Sequence, residues 1–164
     1  MTSRVNLRCA NMGESAALYK MRADSFEQSF KGWVSEDVLD VLMYGYSPSE
    51  FGRAVERGEI FVPDLAGPLA GLAWIEGANC KELAVAPARY GTGLARNLVI
   101  EVLRVLAKRS QDDIVIYAMP QTVNFFRRFG FRTVESVQAQ HATGPIISFE
   151  MMQLSRKALA KLIG

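Results

Sequence analysis

Residues 82–98 read ELAVAPARYGTGLARNL: a strand-like alternation passes through Pro87 and two glycines, Gly91 and Gly93, into a helix-like run. Neither a tight hairpin nor a helix cap at that end needs both glycines. A phosphate would. The start of a helix presents N–H groups without intrahelical partners and the positive end of the macrodipole, so an anion placed there gains hydrogen bonds and electrostatic attraction. Glycine lets the main chain come close to it. The dipole is worth only about 0.3–1 kcal/mol per anion, so several amides must converge before such a site has useful affinity. Taken alone, Gly91-Thr92-Gly93 reads equally well as a structural turn.

The elements on either side place that join in a fold. Upstream, EIFVPDLAG (59–67), GPLAGLAWIEG (67–77) and CKELAVAP (80–87) are apolar stretches too short for helices and divided by turn residues, which predicts consecutive antiparallel strands. Downstream, Leu94, Leu98, Val99, Val102, Leu103 and Leu106 mark one face of a helix, with Asn97, Glu101, Arg104 and Lys108 on the other. Lys108 and Arg109 fall near its C-terminus, where the macrodipole favours cations. DIVIYAM (113–119) reads as a strand and PQTVNFFRRFG (120–130) as a short helix, with proline near its start and Gly130 placed for a left-handed cap. FRTVESV (131–137) and PIISFEMMQL (145–154) add two strands before a basic C-terminal tail.

Near the N-terminus, Val5, Leu7 and Cys9 alternate with Asn6 and Arg8 as in a half-buried strand. Residues 13–30 carry Ala16, Leu18, Tyr19, Met21 and Phe26 at helical spacing. Trp33, Tyr44 and Tyr46 then stand close to turn residues, as core or as a pocket wall. Ser47-Pro48-Ser49-Glu50 combines an N-cap, proline at the first helical position and a glutamate three residues on, which starts a short helix ending near Gly58.

Composition excludes several classes of function. At 164 residues and 49% hydrophobic content, the chain is sized for one domain over 1–164 with a substantial core. Its 19 basic and 17 acidic residues leave a net charge of +2 with no block of one sign, which argues against a nucleic-acid partner. Cys9 and Cys80 form no CxxC pair and His141 is the sole histidine, so no metal site is expected and both thiols should be free. The first fifteen residues lack an apolar signal core, and no run reaches the roughly 18 apolar residues of a membrane span, which gives a cytoplasmic, non-membrane expectation. Two nucleotide motifs also fail. A dinucleotide fingerprint would need glycine where Arg96 stands, and a P-loop would need lysine and Ser or Thr where Leu94-Ala95 stand.

At this point LAVAPARYGTGLARNLV (83–99) resembles the acyl-CoA-binding segment of the GNAT (Gcn5-related) N-acetyltransferases, a strand ending V-x-P followed by Arg or Gln and G-x-G-x-G/A opening a helix. Val85, Pro87, Gly91, Gly93 and Ala95 fill that pattern. A second segment, NFFRRFGF (124–131), resembles the family's short helix ending F-Y-x-x-x-G-F. The two motifs stand in the family's order and on the expected elements. The resemblance implies the GNAT-type acyl-CoA N-acyltransferase fold, an α/β (α+β) domain with a mixed, largely antiparallel seven-stranded sheet and about four helices. It further implies that main-chain amides of Tyr90, Gly91, Thr92, Gly93, Leu94 and Ala95 cradle the diphosphate of acetyl-CoA. The pantetheine arm would pair with Leu83, Ala84 and Val85, in a splay between that strand and DIVIYAM; Asn124 and Phe126 would border it.

The match departs from the family twice. The Arg or Gln before the first glycine is Tyr90, a loss that Arg89 or Arg96 could offset if they are not plain surface charges. The tyrosine that serves many relatives as proton donor to the departing thiolate is Phe126, and Met119 stands near the place of a frequent asparagine. A positioned acid is worth about 10²–10⁴-fold, whereas holding amine and thioester together supplies about 7–11 kcal/mol, so acyl transfer survives this loss. Tyr117 and Tyr90 are substitute donors. An ammonium acceptor must also lose a proton, for which Glu82 is the first candidate base and Glu76 the second; Lys81 could pair with Glu82 and remove that role. His141 reads as a surface loop residue, and Cys80 as a small buried hydrophobe rather than an acyl carrier. The expected activity is therefore acetyl transfer from acetyl-CoA to a small-molecule or protein amine, by a chain acting alone or as a homodimer. A non-catalytic acyl-CoA-binding regulator is the alternative. The acceptor should be shaped by residues 30–46 and 138–147.

Overall fold

The computed structural model describes residues 4–142 and 144–164. It begins with β1 (Leu7–Cys9), α1 (Ser15–Phe30), α2 (Glu36–Tyr44) and α3 (Pro48–Glu56), followed by the meander β2 (Ile60–Pro63), β3 (Gly71–Glu76) and β4 (Asn79–Val85). Then come α4 (Leu94–Arg109), β5 (Ile114–Ala118), α5 (Val123–Arg127), β6 (Arg132–Gln140), β7 (Ile146–Leu154) and α6 (Arg156–Ile163).

Two helices were not among those expected. The stretch around Trp33, Tyr44 and Tyr46 holds α2, whose start is fixed by Ser35 accepting from the Val38 N–H (3.3 Å) and by Glu36 and Asp37 in its first turn. The basic C-terminal tail is α6. Ser155 caps it by accepting from the Ala158 N–H (3.1 Å), and Leu159 is buried against the main core. Its charges misled because Arg156 reaches back to the Ser110 carbonyl (3.1 Å) rather than into solvent. At α3 the capping box is present, with Ser47 and Glu50 exchanging bonds of 3.1 and 3.4 Å.

Among the described residues, seven strands form two antiparallel sheets, β1-β2-β3-β4 and β5-β7-β6. β4 and β5 lie side by side without a hydrogen-bonded ladder between them. α4 packs beneath the split, and all six residues assigned to its apolar face are buried. Glu101, expected on its solvent face, is buried as well, because Arg4 (3.0 Å) and Arg104 (3.4 Å) cover its carboxylate. Cys9, expected to point inward, is exposed at the end of a β1 shorter than its pattern suggested.

A bulge between Trp74 and Ile75 leaves Lys81 as the extra residue of β4: Glu82 faces Trp74 and Cys80 faces Ile75. Consecutive side chains therefore share a side of the sheet. Lys81 lies over the Trp74 and Tyr46 rings, while Glu82 reaches α1.

Candidate active site

The join between β4 and α4 forms a small main-chain concavity. Gly91 (φ 76°) and Gly93 (φ 83°) both occupy the left-handed region, which side chains rarely adopt. A Cβ at Gly91 would point into open space, so the backbone angle and not crowding demands glycine there. Thr92 closes the turn, donating from Oγ1 to the Arg89 carbonyl (2.6 Å) and accepting from the Leu94 N–H (3.4 Å). Gly93 is the N-cap of a 16-residue helix whose first turn carries Arg96 and no acid. These features suit a diphosphate: open main chain, a helix dipole pointing the right way, and no carboxylate to repel it.

From Tyr90 and Ala95 a cavity of about 670 Å³ follows the split between the sheets, past Leu83, Ala84 and Val85, to α2 and the β6–β7 turn. It reaches Leu106, eleven residues from Ala95 and thus roughly 17 Å along α4. An elongated ligand with amide groups could lie against the unpaired edge of β4.

Arg22 organises the polar end. Its guanidinium is fully buried and donates to both Glu82 oxygens, from Nε (2.8 Å) and Nη2 (2.6 Å). It also donates to the Met43 (2.8 Å) and Leu42 (3.2 Å) carbonyls at the end of α2. Glu82, the first candidate base, is therefore paired, but its partner is Arg22 and not Lys81. Lys81 pairs instead with Glu76 (3.0 Å), the second candidate base.

Tyr90 stands where the resemblance puts Arg or Gln, and its side chain does something different. The hydroxyl donates to the Ser25 carbonyl (3.1 Å) and lies 3.1 Å from Ser25 Oγ and 3.0 Å from Ser29 Oγ. It thereby ties the glycine loop to α1. Tyr117 lines the cavity from β5 but is 60% exposed, and its hydroxyl has no hydrogen-bond partner among the described residues. Phe126 packs edge-on against Phe125 and Phe131 and lines the cavity, whereas Asn124 is exposed and accepts from Arg127 (3.3 Å). Arg96 is exposed and Arg89 half-buried beside the glycines. Burial, reinforced by the Glu82 charge, pushes the Cys80 thiol up to about 12, so it stays protonated and non-nucleophilic at neutral pH.

His141, read as a surface loop residue, lines the cavity at the β6–β7 turn, which extends beyond the expected strand because β6 continues to Gln140. Arg22, Ser25 and Ser29 had not been singled out. A signal existed for the first two: they share the buried stripe of α1 with Leu18 and Met21, at one-turn spacing.

A pair of glycines opening a helix beside a split between two antiparallel sheets is the arrangement that the resemblance to the GNAT N-acetyltransferases implies. The family described as an acetyltransferase (GNAT) domain matches residues 39–153, and the chain belongs to it. The fold is similar to that of a GCN5-related N-acetyltransferase from Rhodopseudomonas palustris described as an aminotransferase, class II. That likeness has a TM-score of 0.85 and 18% identity, over 94% of this chain and 98% of that one. It is similar to PaiA N-acetyltransferase from Thermoplasma acidophilum in complex with coenzyme A (TM-score 0.70, 15% identity, 93% and 99% covered). It is also similar to YncA from Salmonella typhimurium with acetyl-CoA (TM-score 0.66, 16% identity, 93% and 94% covered). No curated protein matches the chain in sequence.

Proposed function

We propose that the protein transfers the acetyl group of acetyl-CoA to a primary amine, by direct attack with both substrates bound. One observation carries the reading: Tyr90 and Ala95, which bracket the glycine turn at the start of α4, line the cavity that runs along β4 and β5. Acetyl-CoA, when bound, supplies a thioester carbonyl already activated toward amines. The chain's own part is chiefly to hold and orient. Amides from Tyr90 to Ala95 face the diphosphate, with Arg89 and Arg96 adding positive charge nearby, and the edge of Leu83–Val85 takes the amide-rich arm. Asn124 and Phe126 border the thiol end from α5, and amides of β4 stabilise negative charge at the carbonyl oxygen.

Glu82 is the proposed proton acceptor, in its paired form. A carboxylate has about four lone-pair sites, and Arg22 takes two, which leaves room for the amine or a water. The apolar cavity favours the free amine over its ammonium, which lightens the proton transfer asked of this carboxylate. Tyr117 is the proposed donor to sulfur, a modest role, since a thiol of pKa about 8.5 leaves as a tolerable thiolate that water can protonate.

Calorimetry with acetyl-CoA, followed by thiol release in the presence of an amine panel, tests the reading. Binding and amine-dependent thiol release are expected. Phe126 at the usual tyrosine position favours a second reading, an acyl-CoA-binding regulator, for which binding would occur with no amine-dependent thiol. Absence of binding at millimolar acetyl-CoA would defeat both.

A further inference from the structure

The cavity wall contributed by α1, α2 and β7 is largely apolar, with Ser25 and Ser29 of α1 as its polar members. α1 contributes Phe26 and Phe30, α2 Val41 and Leu42, and β7 Ile147 and Phe149. Among the described residues, three of charge-bearing type line the cavity: Lys81, Glu82 and His141. Glu82 is the one carboxylate among them, and Arg22 neutralises it through both oxygens. Lys81 is matched by Glu76 and covered by the Trp74 and Tyr46 rings, 4.5 and 5.0 Å from its ammonium nitrogen. The described lining therefore offers no set of carboxylates that could receive the second and third ammonium of a polyamine. It would leave such charges buried and unpaired.

We infer that the acceptor is a monoamine with an apolar body of aromatic size, taken up as the uncharged amine. This inference rests on the acetyl-transfer reading and narrows it. The ring or chain of the substrate buries against Phe30, Val41, Leu42 and Phe149, while its single nitrogen lies toward β4. Burial of that nitrogen disfavours its ammonium form, so the cavity itself shifts the substrate toward the nucleophilic state and lightens the demand on an Arg-paired carboxylate. The nitrogen lone pair forms the new C–N bond to the acetyl carbon as the C–S bond breaks. The electron pair of that bond leaves on sulfur, which takes a proton from Tyr117, and the proton lost by nitrogen passes by way of Glu82 and water to restore the phenol. Products are one secondary amide and free coenzyme A.

The test compares 2-phenylethylamine, spermidine and an Nα-blocked lysine amide as acceptors for the intact protein. Binding of the amide product, N-(2-phenylethyl)acetamide, is measured in parallel by calorimetry with coenzyme A present. Burial of one aromatic ring predicts kcat/KM for 2-phenylethylamine on the order of 10–100-fold above the other two, and saturable binding of its amide. Half-buried Val41 supplies the counter-variant. Val41→Glu should lower use of 2-phenylethylamine and raise use of spermidine, by placing a carboxylate in the wall. Spermidine or lysine amide turned over as well as the aryl amine would overturn the inference, as would a folded V41E protein with an unchanged ratio. So would bound acetyl-CoA with neither aryl-amine turnover nor amide binding. A missing heat with acetyl-CoA, measured first, would instead remove the acetyl-transfer reading on which this one stands.

Discussion

Arg22 carries a guanidinium into a fully buried position, and its neighbours account for the charge: a carboxylate, two helix-end carbonyls and the faces of Tyr19 and Phe26 at 5.4 and 5.2 Å. Removing one member of such a pair costs about 3–5 kcal/mol, while replacing both with apolar groups of similar volume is often neutral. Glu82→Gln should therefore lower both stability and turnover. The double change Arg22→Met with Glu82→Met should recover most of the stability and none of the turnover, measured by urea unfolding beside thiol release. That contrast separates structural support from proton transfer. Tyr90→Phe makes a different split. It deletes the hydroxyl that ties the glycine loop to Ser25 and Ser29, each such bond being worth about 0.5–1.5 kcal/mol. The expectation is a roughly 3–10-fold rise in KM for acetyl-CoA with kcat nearly unchanged. That Glu82 and Tyr90 flank the segment leading into the glycines was legible from the sequence; what their side chains touch was not.

Among the elements, the β4–α4 join can be tested at Gly93, whose φ of 83° a branched side chain resists. Gly93→Val should weaken acetyl-CoA binding at least ~10-fold by calorimetry and cost about 1–3 kcal/mol of stability, with the circular dichroism spectrum retained. At the other end of the chain, Arg8 grips Glu14 with two bonds of 2.8 Å, and Glu14 also accepts from the Asn11 N–H (3.0 Å) at the entry to α1. The Arg8 hydrogen bond and then the Asn11 amide lower the Glu14 carboxyl to about 2. A depressed folded-state pKa adds stability that is complete above the unfolded value near 4.5 and fades as pH falls toward 2. Because Arg8 is 38% exposed, solvent screening reduces the contribution to roughly 1 kcal/mol or less. Glu14→Gln should lose that amount at pH 7 and match the wild type near pH 2, in urea titrations at both values. Most elements were legible because caps, glycine positions and apolar periods are local signals. α2 and α6 escaped because neighbouring aromatics and a cluster of basic residues obscured the pattern of apolar positions that each helix packs inward.

Taken whole, the molecule is two antiparallel sheets that meet at β4 and β5 without hydrogen bonds, so the free edges and the apolar cavity between them are where a ligand can add stability. A ligand at 100 times its Kd stabilises the folded state by about 2.7 kcal/mol. For a chain of this size that is a rise in Tm on the order of 5–10 °C with acetyl-CoA, by scanning calorimetry. By itself the sequence determined the α/β fold class, the strand meander, the long amphipathic helix that follows it, and the pair of glycines where that helix begins. Each follows from angles and periodicities carried by residues close in the chain. Only the tertiary structure decided that Glu82 meets Arg22, sixty positions away, and that His141 belongs to the cavity. It also decided that the seven strands part into two sheets and that one wall between them is apolar. Those outcomes depend on which distant surfaces pack together, and pairing across the fold leaves no periodic trace in a single chain.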